Sequence, residues 1–209
     1  CSQSRGLGDV YKRQSPDFAF DMDLLANGPL VFHGENGFSQ KSAEGQASYY
    51  YSQPFYKISG TFNLPEGDIP VTGSAWLDRE WSSQPLSDDQ KGWDWFSLSF
   101  EDGEKMMGFQ LRQSDGSYYT SATWIDANGE TQSYPDGAFM AEPLEETRVA
   151  GREVPIRWRV RLPDRDLDAE VLALMPKAWM DVSIPYREGP VGISGSHAGR
   201  GYLEMTGYE

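Results

Sequence analysis

The sequence predicts an all-β fold of antiparallel strands, on three observations. Apolar and polar residues alternate with period two, most clearly in "IRWRVRL" (156–162), where four apolar side chains alternate with three arginines. Such alternation is typical of a strand with one buried face and one solvated face. Turn dipeptides separate these segments, and we find no sustained 3.6-residue apolar stripe with helix caps.

The turns and the remaining helix candidate support the same fold class. Asp102-Gly103 and Asn128-Gly129 each separate two strand-like segments, and both dipeptides favour tight hairpin turns. The segment "LDAEVLALM" (167–175) is the best helix candidate, but its alternation suits a strand equally well. With 22 Gly and 13 Pro in the chain, many short strands are expected, in a barrel or a sandwich.

The first fourteen residues, "CSQSRGLGDVYKRQ", resemble the in-frame translation of a transposase adapter used for sequencing libraries. They have no apolar period, so we interpret residues 1–14 as a non-native tail and expect them to be disordered. Any export signal would then lie upstream. The segment contains the single cysteine, Cys1, so the rest of the chain is expected to form no disulfide and no thiol site.

Charge limits the classes of partner. The formal net charge is −14, and because the tail carries three basic residues and one acidic residue, the remaining chain carries −16. An acidic chain without a basic patch is repelled by phosphate backbones, which excludes a nucleic-acid partner. No apolar segment approaches the ~20 residues of a membrane helix, so no transmembrane segment is predicted. The many aromatics (7 Trp, 11 Tyr, 10 Phe) favour a packed core or a ring-lined cavity.

Four motifs in order carry a resemblance to a known family. They are "GENGFSQKSAEGQASYYYSQP" (34–54), "GSAWLDREWSS" (73–83), "GWDWFSLSFEDGEKMMGFQLR" (92–112) and "GYLEMTGY" (201–208). Together they resemble the AttH/CrtC family, which includes attachment-type secreted proteins and carotenoid 1,2-hydratases. The resemblance implies antiparallel lipocalin-like barrels in tandem. Residues 15–84 would form the C-terminal part of a truncated first barrel and residues 92–209 a complete second barrel. The polar segment 82–92 would link them.

The resemblance implies a function but leaves its type open. It implies a periplasmic or secreted protein that binds an apolar lipid or isoprenoid ligand. This protein would be either a hydro-lyase or hydrolase, or a non-catalytic lipid-binding or attachment protein. Two departures weaken the transfer of carotenoid hydratase activity. The family typically has Tyr-Trp-Glu-Gly where this chain has Tyr186-Arg187-Glu188-Gly189, and its hydratase branch favours histidine where this chain has Arg79.

The charged strand "TGSAWLDREWSS" (72–83) supplies the candidate catalytic residues. Side chains alternate along a strand, so Trp76, Asp78 and Glu80 share one face. Two carboxylates about 7 Å apart in a dry cavity would repel, and the pKa of one would rise. A protonated carboxylic acid is what alkene hydration requires, so Asp78 and Glu80 are the predicted acid and base.

Aromatic rings would stabilise the carbocation of such a reaction or stack on a ligand. The candidate ligand-binding residues are Trp76, Trp81, Trp93, Trp95 and Tyr51. The alternative is a purely structural role, in which Arg79 pairs with Glu80 or a neighbouring strand and the tryptophans fill the seam between barrels. The spacing alone favours the structural role, and the resemblance makes the structural and catalytic interpretations about equal.

Other catalytic signatures are weak. His33 and His197 are the only histidines, and neither lies in a metal-binding or Ser-His-Asp context. "DRDLDAE" (164–170) alternates acids as a calcium loop does but lacks the glycine and the final glutamate of an EF-hand. No complete G-x-S-x-G elbow is present. The sequence therefore predicts no metal and no cofactor, and its predicted partner is an apolar small molecule.

Overall fold

The computed structural model describes residues 8–14, 18–83 and 86–208, with the backbone alone described for 8–14. Described residues lie mainly in antiparallel strands, and their single helical segment is one 3₁₀ turn, Pro163–Arg165. The fold is therefore all-β, as predicted. The strands of the first sheet are β1 (Gly8–Gln14), β2 (Ala19–Ala26), β3 (Val31–Phe32), β4 (Phe38–Gln40), β5 (Ala47–Leu64) and β6 (Gly67–Trp81).

In the first sheet the path runs β1-β2-β5-β3, and β4 and β6 also pair with β5. The tail prediction differs from the structure here. Gly8–Gln14 are not disordered but pair antiparallel with β2, from Gly8 opposite Leu25 to Gln14 opposite Ala19. The free N–H and C=O groups on the edge of β2 explain this, because an edge strand accepts any extended segment that reaches it. Residues 1–7 lie outside the described part of the chain, and the foreign origin of 1–14 stays a prediction.

The second sheet has nine strands in the order β10-β9-β8-β7-β15-β14-β13-β12-β11, all antiparallel. Its strands are β7 (Gln90–Phe100), β8 (Lys105–Gln113), β9 (Tyr118–Ile125), β10 (Thr131–Tyr134), β11 (Met140–Val149), β12 (Arg152–Leu162), β13 (Leu167–Ala173), β14 (Tyr186–Gly195) and β15 (Gly199–Thr206). Sequence neighbours pair, except that β10 and β11 lie at opposite ends of this order, and β15 lies beside β7.

The strand and turn predictions for this sheet are confirmed. In β12 the four apolar side chains of 156–162 are buried, and the arginines between them are half-buried or exposed. Segment 167–175 is not a helix: its first seven residues form β13, with every second side chain buried. Gly103 and Gly129 close the two predicted hairpins with φ of 95° and 92°, a region that glycine enters without strain.

The core of the second sheet lies on one face. Phe96, Leu98, Trp158, Leu203 and Met205 belong to one contiguous cluster of buried side chains contributed by β7, β12 and β15. The alternation seen in the sequence therefore places one side of each strand in this core.

The described chain divides into two compact units. Unit 1 comprises residues 1–31 and 51–79, and unit 2 comprises residues 32–50 and 80–209. The predicted division placed 15–84 in one barrel and 92–209 in another, and it remains a prediction. The compact units differ from it because residues 32–50 group with the nine-stranded sheet. Residues 84 and 85 of the predicted linker lie outside the described part.

Candidate functional site

The candidate residues of β6 lie in both units. Trp76 and Asp78 are half-buried residues of unit 1, whereas Glu80 is exposed and belongs to unit 2. Strand alternation places these three side chains on one face of β6, as predicted. The structure therefore gives the two carboxylates different surroundings, which are described separately.

Asp78 is held by a buried hydroxyl of unit 1. Ser52 on β5 is fully buried, and its Oγ donates a hydrogen bond of 2.5 Å to Oδ1 of Asp78. Trp76, two residues before Asp78 on the same face, has a buried indole N–H that meets no acceptor in the described structure. A buried donor without an acceptor is unfavourable, so this N–H is available to a ligand or a water molecule.

Glu80 is held by a cation and a hydroxyl of unit 2. The ammonium of Lys41 lies 2.7 Å from Oε1 of Glu80, and Ser48 Oγ donates a hydrogen bond of 2.5 Å to the same oxygen. The predicted pairing partner was Arg79, but the structure has Lys41 in this role. Both contacts engage the same carboxylate oxygen of Glu80.

The same lysine contacts an aromatic cluster. Its ammonium lies 4.1 Å from the centre of the Phe109 ring and 5.1 Å from that of Tyr50, within cation–π range. The hydroxyl of Tyr50 accepts a hydrogen bond of 2.9 Å from the indole N–H of Trp95. His33, fully buried, packs against Tyr50 with ring centroids 4.2 Å apart. Burial, and secondarily the charge of Lys41, lowers the pKa of His33 from 6.5 to about 3, so this imidazole is neutral near pH 7.

Trp93 contacts one of two facing carboxylates in unit 2. Its indole N–H donates a hydrogen bond of 2.8 Å to Oε1 of Glu204. Glu204 on β15 lies directly opposite Glu188 on β14, and facing like charges on neighbouring strands repel. Tyr202 lies nearby; burial first and the charge of Glu188 second raise its pKa to about 12. Trp93 is thus a hydrogen-bond partner of an acidic side chain rather than a bare ring.

The aspartate of "GWDWF" lies inside the core. Asp94 is fully buried and accepts hydrogen bonds from Gln110 (2.8 Å), from Tyr208 (2.8 Å) and from its ion-pair partner Arg112. Burial raises the pKa of Asp94, while the arginine and the other donors act in the opposite sense. Because both oxygens of this buried carboxylate accept hydrogen bonds from protein side chains, we interpret Asp94 as structural.

The two remaining ligand-binding candidates differ in exposure, and their role stays a prediction. Trp81 is 54% exposed and stacks on Tyr49 at 5.9 Å between ring centroids. Tyr51 is half-buried on β5 in unit 1. The predicted rings are therefore divided: Trp76 and Tyr51 belong to unit 1, and the other three tryptophans to unit 2.

Sequence reasoning missed the residues that hold the carboxylates. Ser48, Tyr50 and Ser52 alternate with exposed or half-buried residues in β5, so they share one buried face. Lys41 had no local signal, because it lies on a turn between β4 and β5 and reaches Glu80 only in the folded chain.

Metal-binding groups and membrane-spanning helices were considered for the described residues alone. No group of three or more His, Cys, Asp or Glu side chains is placed to hold a metal ion in that part of the chain. Among the described residues, no helix is long and apolar enough to span a bilayer.

The antiparallel fold defines the class of protein as lipocalin-like, as predicted. The chain belongs to the AttH-like family, which matches residues 4–208. This match begins inside the segment expected to be foreign. None of the curated protein sequences matches the chain.

Two solved structures are similar. One is from Nitrosomonas europaea, a protein assigned to AttH: it is 36% identical, with a TM-score of 0.92, over 100% of this chain and 68% of that one. The other is kievitone hydratase from Nectria haematococca: it is 19% identical, with a TM-score of 0.79, over 96% of this chain and 64% of that one. At 19% identity the second likeness concerns the fold alone.

Proposed function

We propose that this protein hydrates a carbon–carbon double bond of an apolar lipid or isoprenoid ligand, with Asp78 as the proton donor. The observation that carries the proposal is the hydrogen bond from the buried hydroxyl of Ser52 to Oδ1 of Asp78. This bond orients the carboxyl group of Asp78, and the proposal requires that this group be protonated when the ligand binds. A positioned general acid contributes roughly 10²–10⁴-fold to such a step.

The proposed reaction has two steps that balance. Asp78 transfers its proton to one alkene carbon, and the neighbouring carbon becomes a carbocation beside the new carboxylate. Water then adds to the cation, and its surplus proton returns to Asp78. The indole N–H of Trp76 has no acceptor in the described structure, so it can donate a hydrogen bond to the oxygen of the attacking water.

Glu80 takes no part in this proton transfer. The ammonium of Lys41 and the hydroxyl of Ser48 both contact Oε1 of Glu80, so this carboxylate is held in an ion pair within unit 2. We therefore assign the acid role to Asp78 alone and give Glu80 a structural role. The spacing predicted that Asp78 and Glu80 act together as acid and base, and the proposal keeps only Asp78.

The family adds support for the reaction class. The chain shares its fold with kievitone hydratase, whose name states a hydration. Secretion or a periplasmic location is part of the proposal and rests on the family resemblance.

A second candidate is a non-catalytic lipid-binding or attachment protein. The Lys41–Glu80 pair favours it, because one of the two predicted catalytic acids is neutralised by a cation. Both candidates share the apolar ligand and differ only in turnover.

The test is an incubation of the protein with dispersed lycopene and squalene in H₂¹⁸O, followed by mass spectrometry. Hydratase activity gives a product heavier by one labelled water, and Asp78→Asn abolishes it while tryptophan quenching by the probe persists. Glu80→Gln is the matched control and retains activity. Binding without a labelled product in the native protein supports the second candidate and overturns the first.

A further inference from the structure

Arg187 is a fully buried arginine that the proposed hydration does not use. It lies on the buried face of β14, in the row that also contains Gly189 and Val191. An arginine is rarely buried completely unless it is paired, because a charge removed from water needs compensation. Arg187 therefore requires an anion or several hydrogen-bond acceptors to compensate its buried charge.

The described structure gives Arg187 a single acceptor. Nη2 donates a hydrogen bond of 3.2 Å to the carbonyl of Met175, while Nε and Nη1 have no acceptor. Nε and Nη1 carry three of the five N–H groups of a guanidinium, so most of its donors are unused. Burial lowers the pKa of Arg187, which is the direction expected for a cation without an anion.

The buried carboxylate nearest in the strand register is already occupied. Arg187 lies opposite Met205, which lies opposite Asp94 on the next strand, so the two charged residues are two strand spacings apart, about 10 Å. Asp94 is ion-paired with Arg112. The three charges on this face therefore sum to one uncompensated positive charge, centred on Arg187.

The segment over Arg187 is apolar and exposed. Met175, whose carbonyl holds the guanidinium, begins a connection between β13 and β14 in which Ala178 lies close to Gly189. Trp179 of this segment is half-buried and packs against the core, but five other large hydrophobic side chains of residues 174–184 are exposed: Leu174 53%, Met175 58%, Met180 36%, Val182 53% and Ile184 59%. An exposed apolar patch of this kind is typical of a binding surface.

We propose that Arg187 and segment 174–185 form a second ligand site that binds a long-chain carboxylate. Because Nε and Nη1 of Arg187 are buried, segment 174–185 has to move away from the guanidinium to admit the carboxylate, and the hydrocarbon chain then lies along the apolar side chains of that segment. A free carboxylate at the end of an apolar chain satisfies both observations at once, whereas a neutral lipid leaves the charge unpaired. The site lies wholly in unit 2 and is independent of the Asp78 chemistry.

The test uses laurate below its micellar concentration, with dodecanol and acetate as probes that carry only the chain or only the charge. Calorimetry and the Tm shift of the intact protein are the readouts. We expect laurate alone to bind and to raise Tm. Arg187→Met should weaken laurate binding roughly tenfold to a hundredfold, as expected for charge-assisted hydrogen bonds.

Two further variants keep the proposal falsifiable. Ile184→Ser should weaken laurate binding, whereas the control Leu172→Ser, which changes another exposed apolar residue, on β13 (46% exposed against 59% for Ile184), should not. In the absence of laurate, Arg187→Met should raise Tm, because it removes an uncompensated buried charge. Equal binding of laurate and dodecanol, binding of acetate alone, no laurate binding at all, or laurate affinity unchanged in Arg187→Met each overturns the proposal.

Discussion

The ring of His33 lies against that of Tyr50 with centroids 4.2 Å apart, in an environment that excludes water from the imidazole. Its pKa is about 3 in the folded chain, against 6.5 for an exposed histidine. The neutral form thus stabilises the fold above pH 6.5, and this stabilisation is lost as the pH falls towards 3.

We expect His33→Gln to remove part of the acid sensitivity. Between pH 6.5 and 3 the native protein should lose up to about 1.4 kcal/mol per pH unit more than the variant, because the unfolded chain takes up a proton there. Urea unfolding at a series of pH values measures the difference. His197→Asn, at the other histidine of the chain, is the control. Parallel pH profiles for the native protein and His33→Gln would contradict the assignment.

The Lys41–Glu80 ion pair should contribute little to stability. The Glu80 side chain is 40% exposed and that of Lys41 is 19% exposed, so solvent and salt screen the pair. A double-mutant cycle with Lys41→Met and Glu80→Gln should give a coupling energy of about 1 kcal/mol or less, and less still in high salt. Lys41→Met alone should cost more than Glu80→Gln, because it also removes the contacts with the Phe109 and Tyr50 rings. A coupling energy that salt does not change would show that the pair is better protected from solvent than its exposure indicates.

Ser52→Ala should destabilise the protein and disturb the proposed acid. The hydroxyl is fully buried and bonded to a carboxylate, so its loss should cost roughly 1.5–3 kcal/mol. The effect should shrink in an Asp78→Asn background, because the carboxyl acceptor is then replaced by an amide. Chemical denaturation of the four proteins in this cycle measures both quantities. Additive effects would mean that the two side chains are not coupled in solution.

The Asp94 network should be the most sensitive polar site. Arg112→Met leaves a buried carboxylate without its cation and should cost about 3–5 kcal/mol. Tyr208→Phe removes one donor to the same carboxylate and should cost less, roughly 1.5–3 kcal/mol. Thermal unfolding ranks the variants. A smaller loss for Arg112→Met than for Tyr208→Phe would show that the carboxyl group is protonated in the folded protein.

Local pattern was sufficient to predict most of the fold. Period-two alternation identified β12 and, with the turn dipeptides, the β7–β8 and β9–β10 hairpins, because strand pairing between sequence neighbours depends on short-range signals. The N-terminal tail was the exception. Gly8–Gln14 has no apolar period, yet it pairs with the edge of β2 through backbone groups, which no side-chain pattern reports.

The candidate site was less predictable because its contacts are long-range. Spacing placed Asp78 and Glu80 on one face of β6, but their different partners, Ser52 and Lys41, are distant in sequence. The unused donors of Arg187 were equally invisible, since a sequence does not state whether an arginine reaches solvent.

The position of β15 governs the order of folding. This strand lies between β14 and β7, and its pairing with β7 joins residues 111 positions apart, as in the Trp93–Glu204 contact. Closing so large a loop is slow, because its entropy must be lost before the contacts form. During synthesis β7 and β8 leave the ribosome long before residues 199–206. Until β15 emerges, the backbone N–H and C=O groups on the β15 side of β7 have no strand to pair with. Chaperones that shield strand edges should therefore bind nascent chains that end before residue 199, and release them once β15 has emerged.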